Sequence, residues 1–268
     1  MKNISTLCLI VLFLSMSKMT CGQEKAIHLI LSIDKYSNIA QSCSKDEINV
    51  NNWISKVSDY TELRKKVYDL AFSKDKVQSF LSSFECDSND VILFYYSGHG
   101  FRYRNQEIKW PYLYVSNQDE TVNEAGLSLE WVKKELIKKG ARLVIVFADC
   151  CNNIIPIDIP AETDYVQLRT NYNKLFMNVK GHVIASSSVP SQYSYGTSIG
   201  GMFTNSFLKS VDEFLGYDQS KITWPQLLEM TKKETLKISS NRQKPQFEFL
   251  LEPHDSSIPS NTVLPDKN

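Results

Sequence analysis

The sequence predicts an α/β fold, a three-layer α-β-α sandwich with a mostly parallel central sheet of about six strands. Four short and nearly continuous apolar runs are typical of parallel strands that are covered on both faces. Stretches with apolar residues at helical spacing alternate with these runs, and such alternation favours a parallel sheet with helices on both faces. The four runs cover residues 26–33, 90–97, 141–148 and 179–187.

The first half of the chain contributes two of these strands and the segments between and after them. Residues 46–57 and 74–84 carry apolar side chains at helical spacing and predict two helices. Residues 60–70 are ambiguous between helix and strand. After the second strand, residues 101–126 have the pattern of a long irregular excursion with one hairpin at 110–115.

The second half of the chain continues the alternation of strands and helices. Residues 127–139 form an amphipathic pattern that Gly140 ends, because glycine commonly follows the last turn of a helix. Residues 201–215 and 224–238 predict two further helices. Residues 246–250, with the sequence QFEFL, predict a closing strand.

The N-terminus has the pattern of a secretory signal peptide over residues 1–22. Lys2 precedes the apolar run 7–14, and small or weakly polar residues follow up to Gly22. The apolar run is too short for a membrane span, which needs about 20 residues. We therefore expect an exported protein, secreted or periplasmic. Lipid anchoring at Cys21 is a minor alternative, because the residues before this cysteine make a poor lipidation site.

The predicted mature chain consists of one large α/β domain over residues 23–251 and a flexible polar tail over 252–268. No internal repeat, low-complexity tract or linker divides it. Loss of Lys2 and Lys18 with the signal peptide lowers the 30 basic residues to 28 against 30 acidic ones, a net charge of −2. Because the charges are so nearly balanced, the protein has no electrostatic field of one sign that would attract it to nucleic acid or anionic lipid. The charge balance leaves the oligomeric state undetermined.

The cysteines show no disulfide framework and no metal-binding pattern, which leaves a free, reactive thiol as one interpretation. Two of the six cysteines, Cys8 and Cys21, fall in the targeting segment. The others show no CxxC pattern, and the adjacent pair is poorly placed to bridge itself because the ring would be strained. These four are Cys43, Cys86, Cys150 and Cys151.

Two of the buried strands end in residues that could carry chemistry. One ends in the segment 97–100, which contains His99 between two glycines, and the other ends in 149–151, which contains two thiols. Ligands of open α/β sheets sit at the carboxyl ends of the strands. If these strands are neighbours, an imidazole and a thiol meet as nucleophile and general base or acid. The amide of Gly100 could then point at a developing oxyanion.

The combination of FYYSGHG at 94–100 with VFADCC at 146–151 resembles the caspase and metacaspase superfamily of cysteine peptidases. The two motifs occur in the family's order, about 50 residues apart, and the similarity extends from the first strand to roughly Phe249. The resemblance implies a caspase-like sandwich, a thiol protease and a polypeptide substrate. It also implies no metal in the chemistry.

The resemblance assigns the catalytic roles residue by residue. The family's histidine falls on His99. Its nucleophile is the second residue after the aspartate of an Asp-x-Cys arrangement, which implies Cys151 rather than Cys150. The oxyanion donors would be the backbone amides of Gly100 and Cys151, and Cys150 would point into the core.

The resemblance to metacaspases further implies an acidic S1 pocket that accepts Arg or Lys. Its carboxylates correspond to Asp149 and to Asp46, the latter in a Cys-x-x-Asp segment that begins with Cys43. Ser194 lies in a stretch similar to the family's substrate-lining segment. A buried carboxylate pair recognises a cationic side chain through charge-assisted hydrogen bonds, whereas caspases that cut after aspartate need a cationic pocket.

Three features depart from the family pattern. Residues 152–154 read Asn-Asn-Ile where the family usually has His-Ser-Gly, which puts the rim of the site in doubt. Gly196 stands where an acidic residue is often found, which predicts a less acidic S1 site. Residues 152–178 lack the long insert of some relatives. Weak candidates for self-cleavage are Arg169, Lys174 and Lys180.

Several alternatives remain open at the level of sequence. Asp46 could cap its helix or lie in the first turn, and Asp149 could cap a turn. The protein could be a caspase-fold binding or signalling protein that does not cleave peptides, or a peptidase that cuts after Asn or Asp. Activation of the protein by calcium is implied only by the resemblance to metacaspases, because the sequence has no dense acidic loop that would indicate it independently. The remaining histidines are not expected to be catalytic, because His28 and His182 lie within predicted strands and His254 lies in the tail.

Overall fold

The structure, a computed structural model, describes residues 24–102, 107–117, 120–150, 165–215 and 222–254. Apolar β-branched runs form the strands, and amphipathic stretches form the helices that cover them. In chain order the elements are β1 Ala26–Ile33, α1 Ala40–Tyr60, β2 Arg64–Asp69, α2 Lys74–Ser83, β3 Val91–Gly98, β4 Gly100–Phe101, β5 Tyr112–Tyr114, α3 Val122–Ala125, β6 Gly126–Ser128, α4 Leu129–Ile137, β7 Leu143–Cys150, α5 Tyr165–Phe176, β8 Val179–Ser186, β9 Gly196–Thr197, β10 Gly200–Gly201, α6 Met202–Leu215, α7 Trp224–Ile238 and β11 Gln246–Pro253.

Six of these strands form the central sheet in the order β11-β8-β7-β3-β1-β2. All neighbouring strands from β8 to β2 run parallel, and only β11 is antiparallel to its neighbour. The predicted six-stranded, mostly parallel sheet is confirmed. β1, β3 and β7 are buried along their whole length, which explains their continuous apolar sequences.

Helices cover both faces of the sheet and complete the predicted three layers. On one face, α1, α5, α6 and α7 pack an aromatic cluster of Trp53, Phe176, Phe207 and Trp224 against odd-numbered residues of β3 and β7. On the other face, α2 and α4 pack against the even-numbered residues of these strands. Alternate residues of a strand point to opposite faces. In β7 the odd-numbered residues therefore face α1, α5, α6 and α7, and the even-numbered residues face α2 and α4.

The strand register brings the two motifs to one edge of the sheet. β3 and β7 are direct neighbours, with Ser97 paired to Asp149 and Gly98 paired to Cys150. β1 lies on the other side of β3, where Ile33 pairs with Ser97. The carboxyl ends of three adjacent strands therefore meet where the sequence predicts the site.

Helix α1 begins at Ala40, six residues before the start predicted from its apolar spacing. The buried side chains of Ile39 and Cys43 extend its inner face toward the N-terminus, but polar residues between them hide the pattern. Asp46 consequently lies inside the helix, and the alternative that it caps the helix or occupies the first turn is wrong.

Other boundaries differ where a segment contacts the core on only one side. The ambiguous residues 60–70 contain the edge strand β2, whose exposed side chains leave little apolar pattern. The closing strand continues to Pro253, three residues beyond its predicted end and into the predicted tail. Helix α5 was absent from the prediction, although Tyr172 and Phe176 of this helix are buried.

The excursion after β3 contains more than the predicted hairpin. β5 pairs with β4 on one side and β6 on the other, so that a small three-stranded antiparallel sheet forms. Gly100 pairs with Leu113 in this sheet, which fixes the backbone directly after His99. Within the described part of the chain, no helix combines the length and the apolar character that crossing a bilayer requires.

Candidate active site

A narrow pocket opens at the carboxyl ends of β3 and β7, beside helix α1. It contains about 220 Å³ of empty space, its open mouth included. Its walls include residues of α1, β3 and β7, which are far apart in sequence. The sheet order brings these elements together, because β3 lies between β7 and β1, the strand that precedes α1. The lining residues are Ile39, Ser42, Cys43, Asp46, Ser97, Gly98, Asp149, Tyr195, Gly196 and Gly201.

Asp46 reaches the pocket from α1 and is only 1% exposed. The hydroxyl of Ser97 donates a hydrogen bond to its Oδ2 at 2.8 Å, and the backbone N–H of Gly201 donates to Oδ1 at 2.7 Å. Helix α1, strand β3 and strand β10 thus meet at one carboxylate.

Asp149 reaches the same pocket from β7 and is 5% exposed. Ser194 donates its hydroxyl to Oδ1 at 2.9 Å. The backbone N–H and the hydroxyl of Thr204, at the start of α6, donate to Oδ2 at 3.1 and 2.8 Å. This set of donors holds the carboxylate in one orientation. The turn that Asp149 could cap lies outside the described residues, so that alternative stays open.

The two carboxylates form a buried pair of like charges. Burial raises the pKa of Asp46 well above its usual 3.8, and the negative charge of Asp149 raises it further. Burial also raises the pKa of Asp149, against the opposing effect of the hydrogen bonds from Thr204 and Ser194. Among the described residues, no lysine or arginine forms an ion pair with either carboxylate. A cation that entered the pocket would relieve both effects.

Two adjacent glycines that the sequence analysis missed pack directly against these carboxylates. A Cβ on Gly200 would overlap Oδ1 of Asp46, and a Cβ on Gly201 would overlap Oδ2 of Asp149. Gly200 also has φ +126°, a conformation that side chains rarely adopt. The paired glycines before a helix were the available sequence signal, since such pairs mark turns or close backbone approaches.

His99 follows the last residue of β3 and is half-buried at the same edge. Its Nε2 lies 3.2 Å from Oδ1 of Asn38. Its backbone carbonyl accepts from the hydroxyl of Tyr96 at 2.6 Å and from the N–H of Tyr114 at 2.9 Å. The backbone of His99 is therefore fixed by both the main sheet and the small sheet.

Gly100 packs against Cys150, the last residue of β7. A Cβ at Gly100 would lie 2.6 Å from Cβ and 3.1 Å from Sγ of Cys150. Cys150 is buried and belongs to the cluster on the α2 and α4 face, opposite to Asp149. This placement gives Cys150 the packing position that the resemblance implies.

The structure brings several of the sequence-predicted residues together. Cys43, Asp46, Asp149 and Ser194 lie at the pocket, and His99 and Gly100 lie at the adjoining strand end. Burial raises the pKa of the Cys43 thiol, so this cysteine acts as a wall of the pocket. Cys151 and residues 152–154 lie outside the described residues, as do 1–22 and the end of the predicted tail.

The remaining candidates lie elsewhere in the fold. His28 is buried beside Asp90 at the opposite end of β1, and His182 lies within β8, where burial lowers its pKa. Arg169 and Lys174 are on α5 and Lys180 is on β8, so that regular hydrogen-bonded backbone contains all three suggested self-cleavage points. No group of metal-ligating side chains occurs within the described ranges.

A comparison with family models identifies the family of this chain. A family model for the caspase domain of the C14 peptidases matches residues 25–253. A search of curated proteins gave no match. The crystal structure of protein GSU0716 from Geobacter sulfurreducens is similar at a TM-score of 0.47 and 15% identity, over 84% of this chain and 93% of that chain.

Proposed function

Because the chain belongs to the caspase-domain family of cysteine peptidases, we propose that it is an endopeptidase that cleaves after Arg or Lys with His99 and Cys151. The observation that carries the preference for basic residues is the buried Asp46–Asp149 pair, which has no lysine or arginine partner among the described residues. Such a pair is costly to ionise alone and is stabilised by a cationic ligand.

A guanidinium or ammonium group matches the chemistry of this pocket. A carboxylate offers about four acceptor positions and a guanidinium offers five donors. Direct hydrogen bonds occupy two positions on Asp46 and three on Asp149. The hydroxyl of Tyr95 also acts on Asp46 and that of Ser187 on Asp149, so Asp46 retains the larger acceptor capacity. Charge-assisted hydrogen bonds to both would favour a basic P1 side chain, even though Gly196 provides no third acidic group.

The strand register supports the pairing of His99 with Cys151. Gly98 pairs with Cys150, and His99 and Cys151 are the residues that follow them in the sequence. One trans peptide unit spans about 3.8 Å between Cα atoms, and Cys150, the residue before the proposed nucleophile, lies at this edge. Asp149 faces the pocket while Cys150 faces the opposite layer.

The proposed chemistry is acyl transfer in two steps. The thiolate of Cys151 attacks the scissile carbonyl, and the backbone amides of Gly100 and Cys151 stabilise the oxyanion. The C–N bond then breaks as His99 gives a proton to the leaving amine. In the second step, His99 takes a proton from water, the resulting hydroxide attacks the thioester, and the thiolate leaves.

Peptidyl electrophiles with Arg at the first position test this function. We expect covalent labelling of the wild-type protein at Cys151, found by mass spectrometry of its peptides. Cys151→Ala should abolish the labelling, whereas Cys150→Ala is the matched control that should retain it. Labelling at Cys150, or no labelling at all, would contradict the assignment of the nucleophile and would favour a protein that binds peptides without cleaving them.

A panel of reporter peptides with Arg, Lys, Asn or Asp at P1 tests the preference separately. We expect cleavage after Arg and Lys only. Cleavage after Asn or Asp would leave a cysteine peptidase but would contradict the role of the acidic pocket. The same panel with and without a calcium chelator tests calcium activation, which stays a prediction, as does export directed by residues 1–22.

A further inference from the structure

The loop after β1 is built by one buried aspartate. Asp34 is 2% exposed. Its Oδ1 accepts from the backbone N–H groups of Tyr36 and Ser37, both at 3.0 Å, and its Oδ2 accepts from the hydroxyl of Ser37 at 2.6 Å. A short polar side chain that binds the backbone two and three residues later fixes a tight turn.

The same loop is anchored to the strand that carries the catalytic histidine. The N–H of Asp34 donates to the carbonyl of Ser97 on β3 at 2.9 Å. On the other side of the turn, the N–H of Ala40 donates to the carbonyl of Ser37 at 3.1 Å and begins α1. Residues 34–40 are thus tied to β3 at one end and to α1 at the other.

Asn38 projects from this loop to His99, with its Oδ1 at 3.2 Å from Nε2 of the imidazole. A side-chain carbonyl oxygen can only accept a hydrogen bond. The contact therefore requires the proton of the neutral ring to be on Nε2, which assigns the exchange of protons during the reaction to Nδ1. The tautomer and the orientation of a histidine are commonly set in this way by the partner of its other nitrogen.

We propose that Asn38 is a positioning residue that orients the imidazole of His99 for proton transfer at Nδ1. This inference rests on the proposed peptidase function. The backbone of His99 is held independently by Tyr96 and Tyr114, so Asn38 fixes the ring rather than the main chain. Asn38 itself is exposed, and its effect is accordingly that of one solvent-accessible hydrogen bond.

Two substitutions of Asn38 and one control test the proposal in the full-length protein. Asn38→Ala removes the acceptor and should lower kcat about 10-fold, the value of one hydrogen bond, with an unchanged KM. Asn38→Asp keeps the acceptor and should restore most of kcat. It also places a negative charge at the ring, which should raise the pKa of His99 in an NMR titration and move the matching limb of the pH–rate profile to higher pH.

Asn52→Asp is the matched control, because it introduces the same charge on an exposed position of α1. It should leave kcat unchanged and alter the pKa of His99 less than Asn38→Asp does. Equal pKa changes in the two aspartate variants, or a kcat within twofold of wild type for Asn38→Ala, would overturn the proposal. If the wild-type protein cleaves no peptide, the proposed function fails, and the NMR titration alone still decides whether Asn38 acts on His99.

Discussion

The two ends of the central sheet each bury carboxylates, but the neighbour of the buried carboxylate differs: it is a histidine at one end and a second carboxylate at the other. At the amino ends of β1 and β3, Asp90 meets His28 at 2.8 Å. At the carboxyl ends of β3 and β7, Asp46 and Asp149 meet each other without an arginine or lysine partner among the described residues. Asp90 thus has a partner that can carry the opposite charge, whereas Asp46 and Asp149 have a like charge as their neighbour.

The Asp90 site is a satisfied structural cluster. Burial opposes ionisation of Asp90, but hydrogen bonds from His28 and from the backbone N–H groups of Asp87 and Ala26 outweigh it and lower the pKa of Asp90. The other ring nitrogen of His28 contacts the hydroxyl of Tyr68 at 3.1 Å. Every polar group of this pair has a partner within the fold, and its role is stability.

The Asp46–Asp149 site has hydrogen-bond donors but, within the described ranges, no positively charged side chain as a partner. Its hydrogen bonds orient the carboxylates, while burial raises the pKa of both groups and the charge of Asp149 raises the pKa of Asp46 further. A fold gains nothing in stability from such a pair. The comparison teaches that burial alone does not mark a carboxylate as functional, whereas burial beside a like charge at an open pocket makes it a candidate for function.

The largest expected effect comes from Asp46→Asn, which removes one charge from the Asp46–Asp149 pair. Asparagine can keep both contacts, with Gly201 and with Ser97. We expect kcat/KM for an Arg reporter peptide to fall about 100-fold or more, while the free energy of unfolding in urea stays the same or increases. Labelling of the nucleophile by iodoacetamide should be unchanged; its loss would show that the substitution damages the site itself rather than the recognition of the cation.

Asp90→Asn should lower the stability of the fold and leave the recognition of substrate unchanged. It leaves buried donors without their acceptor and His28 without its ion-pair partner, so we expect a loss of about 3 kcal/mol in the free energy of unfolding. The ratio of cleavage after Arg to cleavage after Lys should not change. A change in this ratio would contradict the separation of the two ends of the sheet.

The pH dependence of stability should distinguish the two sites by sign. The folded-state pKa of Asp46 is raised, so its contribution is fully present below the unfolded value near 3.8 and is lost as the pH rises through the folded value. The advantage of Asp46→Asn over wild type should therefore grow with increasing pH.

For Asp90 the folded-state pKa is lowered, so its contribution is present above 3.8 and is lost as the pH falls through the folded value. The deficit of Asp90→Asn should shrink in acid. Unfolding curves of both variants at a series of pH values check these signs, and two variants with the same trend would remove the distinction.

The smallest expected effect comes from the glycines behind the pocket. Gly201→Ala places a Cβ against the carboxylate of Asp149, and we expect kcat/KM to fall about 10-fold together with a loss of roughly 1–2 kcal/mol in stability. Gly140→Ala is the matched control, because Gly140 has φ +75° and no atom near its Cβ position. It should cost about 1 kcal/mol of stability without a change in kcat/KM. An activity loss equal in both variants would contradict a specific effect on the pocket.

The sheet could be predicted because the sequence of each buried strand is a recognisable apolar run. Fully buried strands such as β3 and β7 are continuous apolar runs, and the end of each run carries the segment that faces the site. The family resemblance then selected Asp46, a residue of a helix that no local pattern connects to β7. The fold class and the acidic residues of the pocket were accessible in this way.

What escaped prediction depends on contacts between distant segments. Gly201 and Asp46 are 155 residues apart, and nothing in either segment indicates that a backbone N–H of one binds the carboxylate of the other. The start of α1 was missed, and residues 60–70, which contain the edge strand β2, stayed ambiguous, because exposed polar side chains mask the periodicity of both segments. The contact between Asn38 and His99 requires the strand order β7-β3-β1, which sequence periodicity does not specify.

A crystal structure of the protein after reaction with an Arg-containing chloromethyl ketone tests the central claim most directly. The account predicts a thioether at Sγ of Cys151 and the guanidinium of the inhibitor between the carboxylates of Asp46 and Asp149. An adduct on a different cysteine, or a guanidinium that lies in solvent while the acidic pair remains empty, would contradict it.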